Sequence, residues 1–331
     1  MVPDQTASPA PPEIAVIIAT YKRPHLIERA LDSVAAQTLR PAEIIVVDDC
    51  SGDHTGEVVR AWSMARAVPV HFIAMAENSG VGAARNRALE QARSEYAAFL
   101  DSDDEYLPDA LERLSTPLLD RPEAVVSFAD ASVIHADGRP SFLLMSRALS
   151  AEKDCVPVEG TGGKLLRLAD PKSTLLLTSM IPTCSAVFRL EAARNVGFMP
   201  EDRFGEDWLF WLRMTDQGSF LCRFTTVAQV HRQEDNLTGS THSTTSSRMV
   251  LRAFFGLLQG QSGVTLDDVT VGRLKRAIAA EVRNWRYQHS RLGLRAYLQA
   301  LDSEEGRMTG GRLRHLLADP KSVLRAFASV G

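Results

Sequence analysis

Apolar and polar residues follow one another in regular blocks through the first hundred residues of the chain. Four short apolar runs, at 14–19, 44–47, 70–75 and 96–100, have the length and composition of buried strands. Each of the first three is followed by a segment whose apolar residues recur at helical spacing. This alternation predicts an α/β fold, with a doubly wound, mostly parallel sheet flanked by helices and with its loops gathered at one edge.

The pattern becomes less regular after residue 100. Residues 146–178 show poor periodicity and contain three closely spaced glycines, so we expect a mobile loop or lid there. Residues 136–139 have the chemistry of a hairpin turn. The other predicted elements are helices at 108–118, 191–196 and 208–217 and strands at 124–131, 186–188 and 220–230.

Three regions follow along the chain. Residues 1–13 are rich in proline and alanine, and we expect a disordered tail. Residues 14–240 hold the α/β pattern. Residues 241–331 are predicted to combine a Ser/Thr-rich linker with a C-terminal helical appendage that glycines such as Gly260 and Gly293 interrupt.

The formal charge of −4 gives no reason to expect nucleic acid as a general partner. That charge is uneven, because residues 271–331 carry 12 Lys and Arg against 5 Asp and Glu, or +7. Either this basic face is merely solvated on a packed appendage, or it rests on an anionic membrane. The apolar contacts of this stretch are expected to come from Ile278, Val282, Trp285, Tyr287, Leu292, Leu294, Tyr297 and Leu298.

Cysteine usage and the N-terminus indicate a compartment. The four scattered cysteines form no C-x-x-C pair, which argues against a zinc site or a disulfide framework and favours a reducing environment. The N-terminal residues lack the basic and apolar regions of a signal peptide. The longest apolar runs fall far short of the ~20 residues of a membrane-spanning helix. We therefore expect a cytoplasmic protein, either free or peripheral to the inner face of the membrane.

Three carboxylates stand together directly after the fourth predicted strand, at Asp101, Asp103 and Asp104. The carboxyl ends of strands are where open α/β sheets bind ligands. Acids this close repel one another unless a cation neutralises them, and Mg²⁺ or Mn²⁺ carrying phosphate oxygens is a natural partner. The alternative is a solvated acidic turn that precedes the helix near Pro108.

Polar residues also follow the first two strands, at Thr20 and Tyr21 and at Asp48 and Asp49. Parallel strands bring their carboxyl ends to one edge of the sheet, so these side chains should lie near the acidic cluster. The convergence of three such loops predicts a nucleotide site more strongly than any one of them.

Five stretches carry a resemblance to a known family. They are V-I-I-A-T-Y-K-R-P, V-V-D-D-C-S, N-S-G-V-G-A-A-R-N, L-D-S-D-D and G-E-D-W, and the resemblance covers roughly residues 14–238. In this order they resemble the family 2 glycosyltransferases of the GT-A fold. The resemblance implies a metal-dependent inverting enzyme that moves a sugar from a nucleotide diphosphate donor to an acceptor hydroxyl. The expected donor is a UDP-sugar. Cell-surface polysaccharide or glycoconjugate synthesis is the implied setting.

The resemblance assigns donor-binding roles by position. Thr20 and Tyr21 match residues that line the nucleotide pocket, and Asp49 matches the acid that hydrogen-bonds the base. Arg85 lies on the segment that borders the nucleotide. Asp103 matches a position shared between the ribose and the metal ion.

The implied metal site contains one departure from the family pattern. Asp103 and Asp104 match its acidic pair, the DxD-type motif, and Asp104 is the expected direct ligand of Mn²⁺ or Mg²⁺. The family often completes the site with a histidine, but Gln233 stands at that position. His231, two residues earlier, either takes its place or only ends a strand.

The acceptor side is assigned from G-E-D-W. Asp207 matches the catalytic base, since an acceptor hydroxyl needs a carboxylate to take its proton. Glu206 and Trp208 are expected to bind the acceptor or the sugar. The same residues would also suit a plain helix N-terminus.

Two other function classes remain open at this point. A nucleotidyltransferase or sugar-nucleotide pyrophosphorylase would want a glycine-rich phosphate loop after the first strand, where this chain has A-T-Y-K-R-P. A non-catalytic relative that binds a nucleotide sugar is the other alternative. Carbohydrate, lipid-linked and protein acceptors all fit the sequence.

Overall fold

The computed structural model describes residues 11–135, 138–176, 179–200, 205–232 and 243–328. The chain divides into two compact units, residues 1–232 and 233–331, and each is treated by itself.

The first unit contains all of the strands of the described residues. The strands are β1 Ile14–Thr20, β2 Glu43–Asp48, β3 His71–Ala74, β4 Tyr96–Asp101, β5 Glu105–Tyr106, β6 Ala124–Ile134, β7 Pro140–Leu143, β8 Cys155–Pro157, β9 Leu166–Leu168, β10 Ala186–Arg189 and β11 Ser219–His231. Its helices are α1 Ile27–Ala35, α2 Thr55–Arg66, α3 Val81–Gln91, α4 Ala110–Leu119, α5 Ala151–Asp154, α6 Pro171–Leu176, α7 Leu190–Asn195 and α8 Glu206–Met214.

The strands form one mixed sheet in the order β3-β2-β1-β4-β10-β6-β11-β9-β8. The β3-β2-β1-β4 half is parallel, as is the β6-β11 pair, while β10 runs antiparallel between them. Every residue of β1 is buried, which explains its unbroken apolar run. The expected mostly parallel, doubly wound sheet with flanking helices is confirmed.

The register of the central strands aligns their polar ends. Thr20 at the end of β1 lies opposite Asp48 of β2, and Ala19 lies opposite Asp101 of β4. The loops after these three strands therefore leave the sheet side by side, as the sequence predicted.

The 13-residue strand β11 pairs with β6 and with the short strand β5, which follows the acidic cluster. It pairs in parallel with β6, and the register shifts between Arg223 and Thr226 and again between Thr226 and Ala228. Its last residues pair with β5, so His231 is brought beside the acidic loop.

The expectation of a mobile loop or lid at 146–178 is wrong for most of that stretch. It contains α5, β8, β9 and α6, and β9 pairs with both β8 and β11 at the edge of the sheet. Strands of three residues are too short to show periodicity. The predicted hairpin at 136–139 falls partly on residues 136–137, which lie outside the described residues.

The second unit is helical in every described element. Its helices are α9 Ser243–Leu258, α10 Asp268–Ser290, α11 Leu294–Leu301, α12 Glu304–Met308, α13 Gly311–Ala318 and α14 Pro320–Ala328. Residues 243–247 belong to α9 rather than to a linker, and 233–242 lie outside the described residues. No described helix is both long enough and apolar enough to cross a membrane.

The apolar residues of α10 and α11 form the core of this unit. Trp285 and Tyr297 are fully buried, and Ile278 and Val282 are nearly so. These four residues, which were expected to supply the apolar contacts of this stretch, pack inside the unit. Tyr287 and Leu292 do reach the surface.

The turn before β11 can be tested at Gly218. A Cβ atom there would lie 2.6 Å from the Glu123 carbonyl oxygen and 2.8 Å from Val125 Cγ1. We expect Gly218→Ala to lower the free energy of unfolding by about 1–3 kcal/mol, because backbone must shift to admit the methyl group. Urea unfolding followed by tryptophan fluorescence measures this change.

The matched control is Gly272→Ala in α10, where the added Cβ meets nothing closer than an arginine side-chain nitrogen at 3.8 Å. This substitution should be neutral or stabilising by up to ~1 kcal/mol, because alanine favours helix. Equal effects of the two substitutions would contradict the steric explanation.

Candidate active site

The loops after β1 and β2 are held in an uncommon backbone conformation. Lys22 and Cys50 both have positive φ, at 54° and 60°, although neither is glycine. The Lys22 amide donates to Ser51 Oγ at 2.7 Å, and that hydroxyl in turn donates to Asp48. Such conformations persist only where the surroundings enforce them, and they cluster at functional sites.

The expected nucleotide-lining residues sit on this edge. Thr20 is buried, and its Oγ1 has no hydrogen-bond partner among the described residues. A buried hydroxyl without a partner costs free energy, so the position suits a ligand that supplies one. Tyr21 is 41% exposed at the rim, with the Lys22 amine 5.1 Å from its ring centre.

Asp49 organises the start of α3. Its carboxylate accepts hydrogen bonds from the backbone amides of Ser79 and Gly80, both at 2.8 Å, and from the Asn78 side chain at 2.9 Å. The acid expected to bind the base thus also ties the loop after β2 to the glycine turn. A carboxylate has about four acceptor sites, so a further bond to a base is compatible with these three.

Two of the three acids after β4 are buried, whereas the Asp101 side chain is 36% exposed. Asp103 and Asp104 are each about 5% exposed or less, and the Asp104 amide donates to the Asp101 carbonyl. Arg23 pairs with Asp103 Oδ2 at 2.5 Å, and the His231 amide donates to Asp104 Oδ1 at 3.0 Å. The interpretation as a solvated acidic turn is therefore wrong for Asp103 and Asp104.

Burial and mutual repulsion disfavour the charges of this cluster. Desolvation and the nearby Asp101 raise the pKa of Asp103 despite the Arg23 pair. Burial, followed by Asp101 and Asp103, raises the pKa of Asp104 well above its usual range. A bound cation would reverse this preference, because it favours the ionised carboxylates.

The carboxylate oxygens of Asp103 and Asp104 are the kind of ligand that a hard divalent ion prefers. Within the described residues no three His, Cys, Asp or Glu side chains are arranged to hold a metal alone. Carboxylates that supply one or two ligands, with the rest coming from water and phosphate, are the usual pattern for Mg²⁺. The cluster therefore fits an ion that arrives together with a diphosphate.

The ring of His231 is occupied by a carboxylate. Its Nε2 lies 2.6 Å from Glu105 Oε2, and Arg29 approaches the same oxygen at 3.7 Å. The residue reaches Asp104 through its backbone amide. Gln233, which stands at the family's usual histidine position, lies outside the described residues.

Arg85 joins the two halves of the site. It is buried, and it donates to Asp101 at 2.6 Å and to Glu206 at 3.1 Å. Burial works against its charge, but the carboxylates of Asp101, Glu206 and Asp207 raise its pKa, so it stays protonated. The structure places Arg85 as a link between the acidic cluster and α8.

The first turn of α8 carries two acids in different surroundings. Burial, together with Asp207, raises the pKa of Glu206 to about 7. A Cβ on Gly82 would lie 3.1 Å from Glu206 Cγ, a tight contact, so α3 and α8 approach closely at this point. Asp207 is less buried, and its Oδ2 accepts from Thr183 Oγ1 at 2.9 Å.

Trp208 does not present a ring to the site. It is 7% exposed, and its indole nitrogen donates to the Leu175 carbonyl at 2.5 Å. In this structure the ring packs between α8 and α6, and the expected contact with sugar or acceptor stays a prediction. Trp211 is also buried, against Phe99, Phe188 and Phe210.

Four residues of the site were missed in the sequence. Thr183 and Cys184 precede β10, Arg23 follows β1, and Glu105 follows the acidic cluster. The Cys184 thiol is hydrogen-bonded to the Asp104 side chain. Burial raises the pKa of Cys184 well above its usual range. Only the positions of Arg23 and Glu105 beside recognised motifs gave any signal.

With the geometry in place, the chain can be compared with known proteins. Residues 15–197, more than half of the chain, match the family described as "Glycosyl transferase family 2". The chain belongs to glycosyl transferase family 2. The family match contains the loops after β1, β2 and β4 but ends before α8.

Two family 2 relatives give the scale of the likeness. The "Putative teichuronic acid biosynthesis glycosyltransferase TuaG" of Bacillus subtilis is 37% identical over 129 residues, which are 39% of this chain and 50% of TuaG. The "GalNAc(5)-diNAcBac-PP-undecaprenol beta-1,3-glucosyltransferase" of Campylobacter jejuni is 25% identical over 75% of this chain and 72% of that protein. The chain thus spans only half the length of TuaG.

Solved structures share the architecture at lower identity. Staphylococcus aureus TarS 1-349 in complex with UDP-GlcNAc has a TM-score of 0.56 at 18% identity, over 96% of this chain and 89% of that one. Mannosyltransferase PcManGT from Pyrobaculum calidifontis, in complex with GDP-Man and Mn²⁺, has a TM-score of 0.58 at 18% identity, over 96% and 82%. This likeness establishes the GT-A-type fold.

The unusual titration of Glu206 leads to a stability prediction. Its folded pKa of about 7 exceeds the ordinary value of 4.5, so the native state holds this proton more tightly than the unfolded chain does. The stability contributed by the neutral carboxyl is present in full below pH 4.5 and is lost as pH rises through 7. The loss should amount to about 3 kcal/mol.

Glu206→Gln should remove this pH-dependent loss of stability, because the amide stays neutral at every pH. We expect the difference in unfolding free energy between the variant and the wild type to grow in the variant's favour from pH 5 to pH 8, as measured by urea denaturation. All other titratable groups are the same in the two proteins. Parallel curves of unfolding free energy against pH would therefore contradict the raised pKa of Glu206.

Proposed function

We propose that this chain transfers a sugar, with inversion at the anomeric carbon, from a UDP-sugar to an acceptor hydroxyl. The observation that carries the proposal is the link through Arg85. One buried guanidinium contacts Asp101 of the acidic cluster and Glu206, the residue beside Asp207. A group suited to hold a charged leaving group and a group suited to take a proton are thereby positioned together.

The donor half of the proposal rests on the edge formed by β1, β2 and β4. The partnerless hydroxyl of Thr20 and the exposed ring of Tyr21 line the place for the nucleotide, and Asp49 faces its base. Family membership favours sugar transfer over nucleotidyl transfer. UDP-GlcNAc in TarS and GDP-Man in PcManGT support a nucleotide diphosphate-sugar as the donor.

The metal half rests on Asp103 and Asp104, with His231 as a further candidate ligand. A divalent ion, Mn²⁺ or Mg²⁺, would supply positive charge to the leaving diphosphate. The Mn²⁺ of PcManGT supports the same ion here. Arg23, which pairs with Asp103, places a second positive charge at the same edge.

Asp207 acts as the general base in this proposal. It accepts the proton of the acceptor hydroxyl while that oxygen forms its bond to the anomeric carbon. The bond from that carbon to the diphosphate oxygen breaks on the opposite face, and its electron pair leaves with the diphosphate. Thr183 holds the Asp207 carboxylate in place by a hydrogen bond.

The acceptor belongs to cell-surface polysaccharide or glycoconjugate synthesis in this proposal. TuaG is named for teichuronic acid biosynthesis, and the Campylobacter relative is named for an undecaprenol-linked acceptor. A screen of nucleotide sugars for hydrolysis and transfer, with and without Mn²⁺, tests the whole proposal. Binding without turnover for every donor and acceptor class would instead support a non-catalytic relative.

Asp104→Asn tests the metal assignment. We expect turnover to fall ~10²-fold or more, because a neutral amide cannot balance the charge of a divalent ion. The fold should be retained, since burial already disfavours the Asp104 charge and asparagine can still accept from the His231 amide. Asp109→Asn, five residues downstream at an exposed ion pair with Arg113, is the matched control and should keep its activity.

Asp207→Asn tests the base. Turnover should fall ~10²–10⁴-fold, the usual cost of losing a general base. Calorimetry with UDP and Mn²⁺ should show unchanged donor affinity, because Asp207 lies on α8 and not on the β1, β2 and β4 edge.

The same substitution at Asp216, which pairs with Lys172 beyond the end of α8, is the control and should leave turnover intact. If Asp207→Asn abolished UDP binding as well, Asp207 would belong to the donor site and the assignment as base would be overturned.

A further inference from the structure

The last two helices of the second unit turn leucines outward. In α13 the buried residue is His315, whose ring lies 5.7 Å from that of Trp285 and whose Nε2 is 2.8 Å from Thr309 Oγ1. Leu313 and Leu317 stand two residues before and after it, about 200° around the helix. They are 72% and 75% exposed.

The same inversion recurs in α14. Its buried residues are the small Ser322 and Ala326, whereas Leu324 and Phe327 are 69% and 59% exposed. Four large apolar side chains are thus in water on two consecutive short helices. Isolated exposed leucines are ordinary, but several on two helices that contact each other are typical of an interaction surface.

Basic residues flank these side chains. Residues 311–328 contain Arg312, Arg314, Lys321 and Arg325 against the single acid Asp319, a charge of +3. Arg312 also pairs with Asp302 at 3.3 Å, and Arg325 donates to Ser290 Oγ at 3.2 Å. The carboxylate of Asp319 is engaged at the start of α14, where it accepts from the amide and hydroxyl of Ser322. A depression of about 500 Å³ beside Leu313 and Leu317 is also lined by Arg314.

We propose that the α13–α14 surface, comprising Leu313, Leu317, Leu324 and Phe327 with their basic neighbours, binds an anionic lipid bilayer. Leucine and phenylalanine enter the boundary between headgroups and acyl chains, while arginine and lysine remain at the phosphates. Apolar side chains beside a basic rim are the composition that peripheral membrane helices use. No described helix crosses a membrane, so this contact lies in the plane of the interface.

Other occupants fit the surface less well. A second copy would bring +3 against +3, which opposes association. The segments outside the described residues each contain at most two large apolar residues, too few to cover four. The surface is separate from the helix face of α10 and α11, whose apolar residues are occupied in the core.

Vesicle co-sedimentation of the full chain tests the proposal. The probes are vesicles of phosphatidylcholine alone and of phosphatidylcholine with phosphatidylglycerol, each at low and high salt. We expect binding to the anionic vesicles that weakens with salt, and much less binding to the neutral ones. Equal and negligible sedimentation with both would overturn the proposal.

Two variants separate the contributions. Leu313→Ser with Leu317→Ser should reduce the partition coefficient about tenfold or more, because two leucine side chains no longer enter the bilayer. Its control is Met64→Ser with Leu119→Ser, which removes two exposed apolar side chains of the first unit, 83% and 41% exposed. The control should bind as the wild type does.

Replacing Arg312, Arg314 and Lys321 by glutamine should remove most of the preference for anionic vesicles and most of the salt dependence. Sedimentation velocity provides the opposing outcome. If the wild type forms a dimer that Leu313→Ser with Leu317→Ser dissociates, the surface is covered by a second copy and the membrane proposal is overturned. These tests measure binding alone, so their result is independent of sugar transfer.

Discussion

The buried guanidinium of Arg85 is the interaction on which the site depends. Three carboxylates approach it, from Asp101, Glu206 and Asp207. They lie on β4 and α8, two elements that are far apart in the sequence. A buried ion pair that loses one partner leaves an uncompensated charge, at a cost of about 3–5 kcal/mol. The arginine therefore determines the spacing between the end of β4 and the start of α8. Gly82 of α3 also lies close to Glu206, where an added Cβ would be 3.1 Å from Cγ.

The acidic cluster is kept in an electrostatically unfavourable state by the same fold. Burial and repulsion raise the pKa values of Asp103 and Asp104, and the loops beside them hold positive φ at Lys22 and Cys50. Unfavourable charge and unfavourable backbone occur at one edge of an otherwise regular sheet. Sites that are shaped for a ligand before it arrives commonly show this combination.

Much of the fold and part of the site could be predicted from the sequence. Buried parallel strands appear as continuous apolar runs, so β1, β2 and β4 and the polar residues that end them were predictable. The three-residue strands β8 and β9 were not, because pairing rather than local pattern makes them strands. Contacts between distant positions were also invisible, as with Arg85 and Glu206, which lie 121 residues apart. Periodicity shows that a helix has an apolar side but not what covers it, which is why the packing of Trp208 against α6 could not be predicted.

The irregularities of β11 carry a consequence for how this protein tolerates length changes. Between Arg223 and Ala228 the strand advances five residues while β6 advances two, from Ala129 to Ala131. Side chains alternate between the two faces of a strand, so an insertion or deletion of one residue there reverses the facing of every later position. His231 would then leave Glu105, and the strand would keep its hydrogen bonds while delivering the wrong side chains. A small change of length in this segment would thus be more damaging than most changes of residue identity.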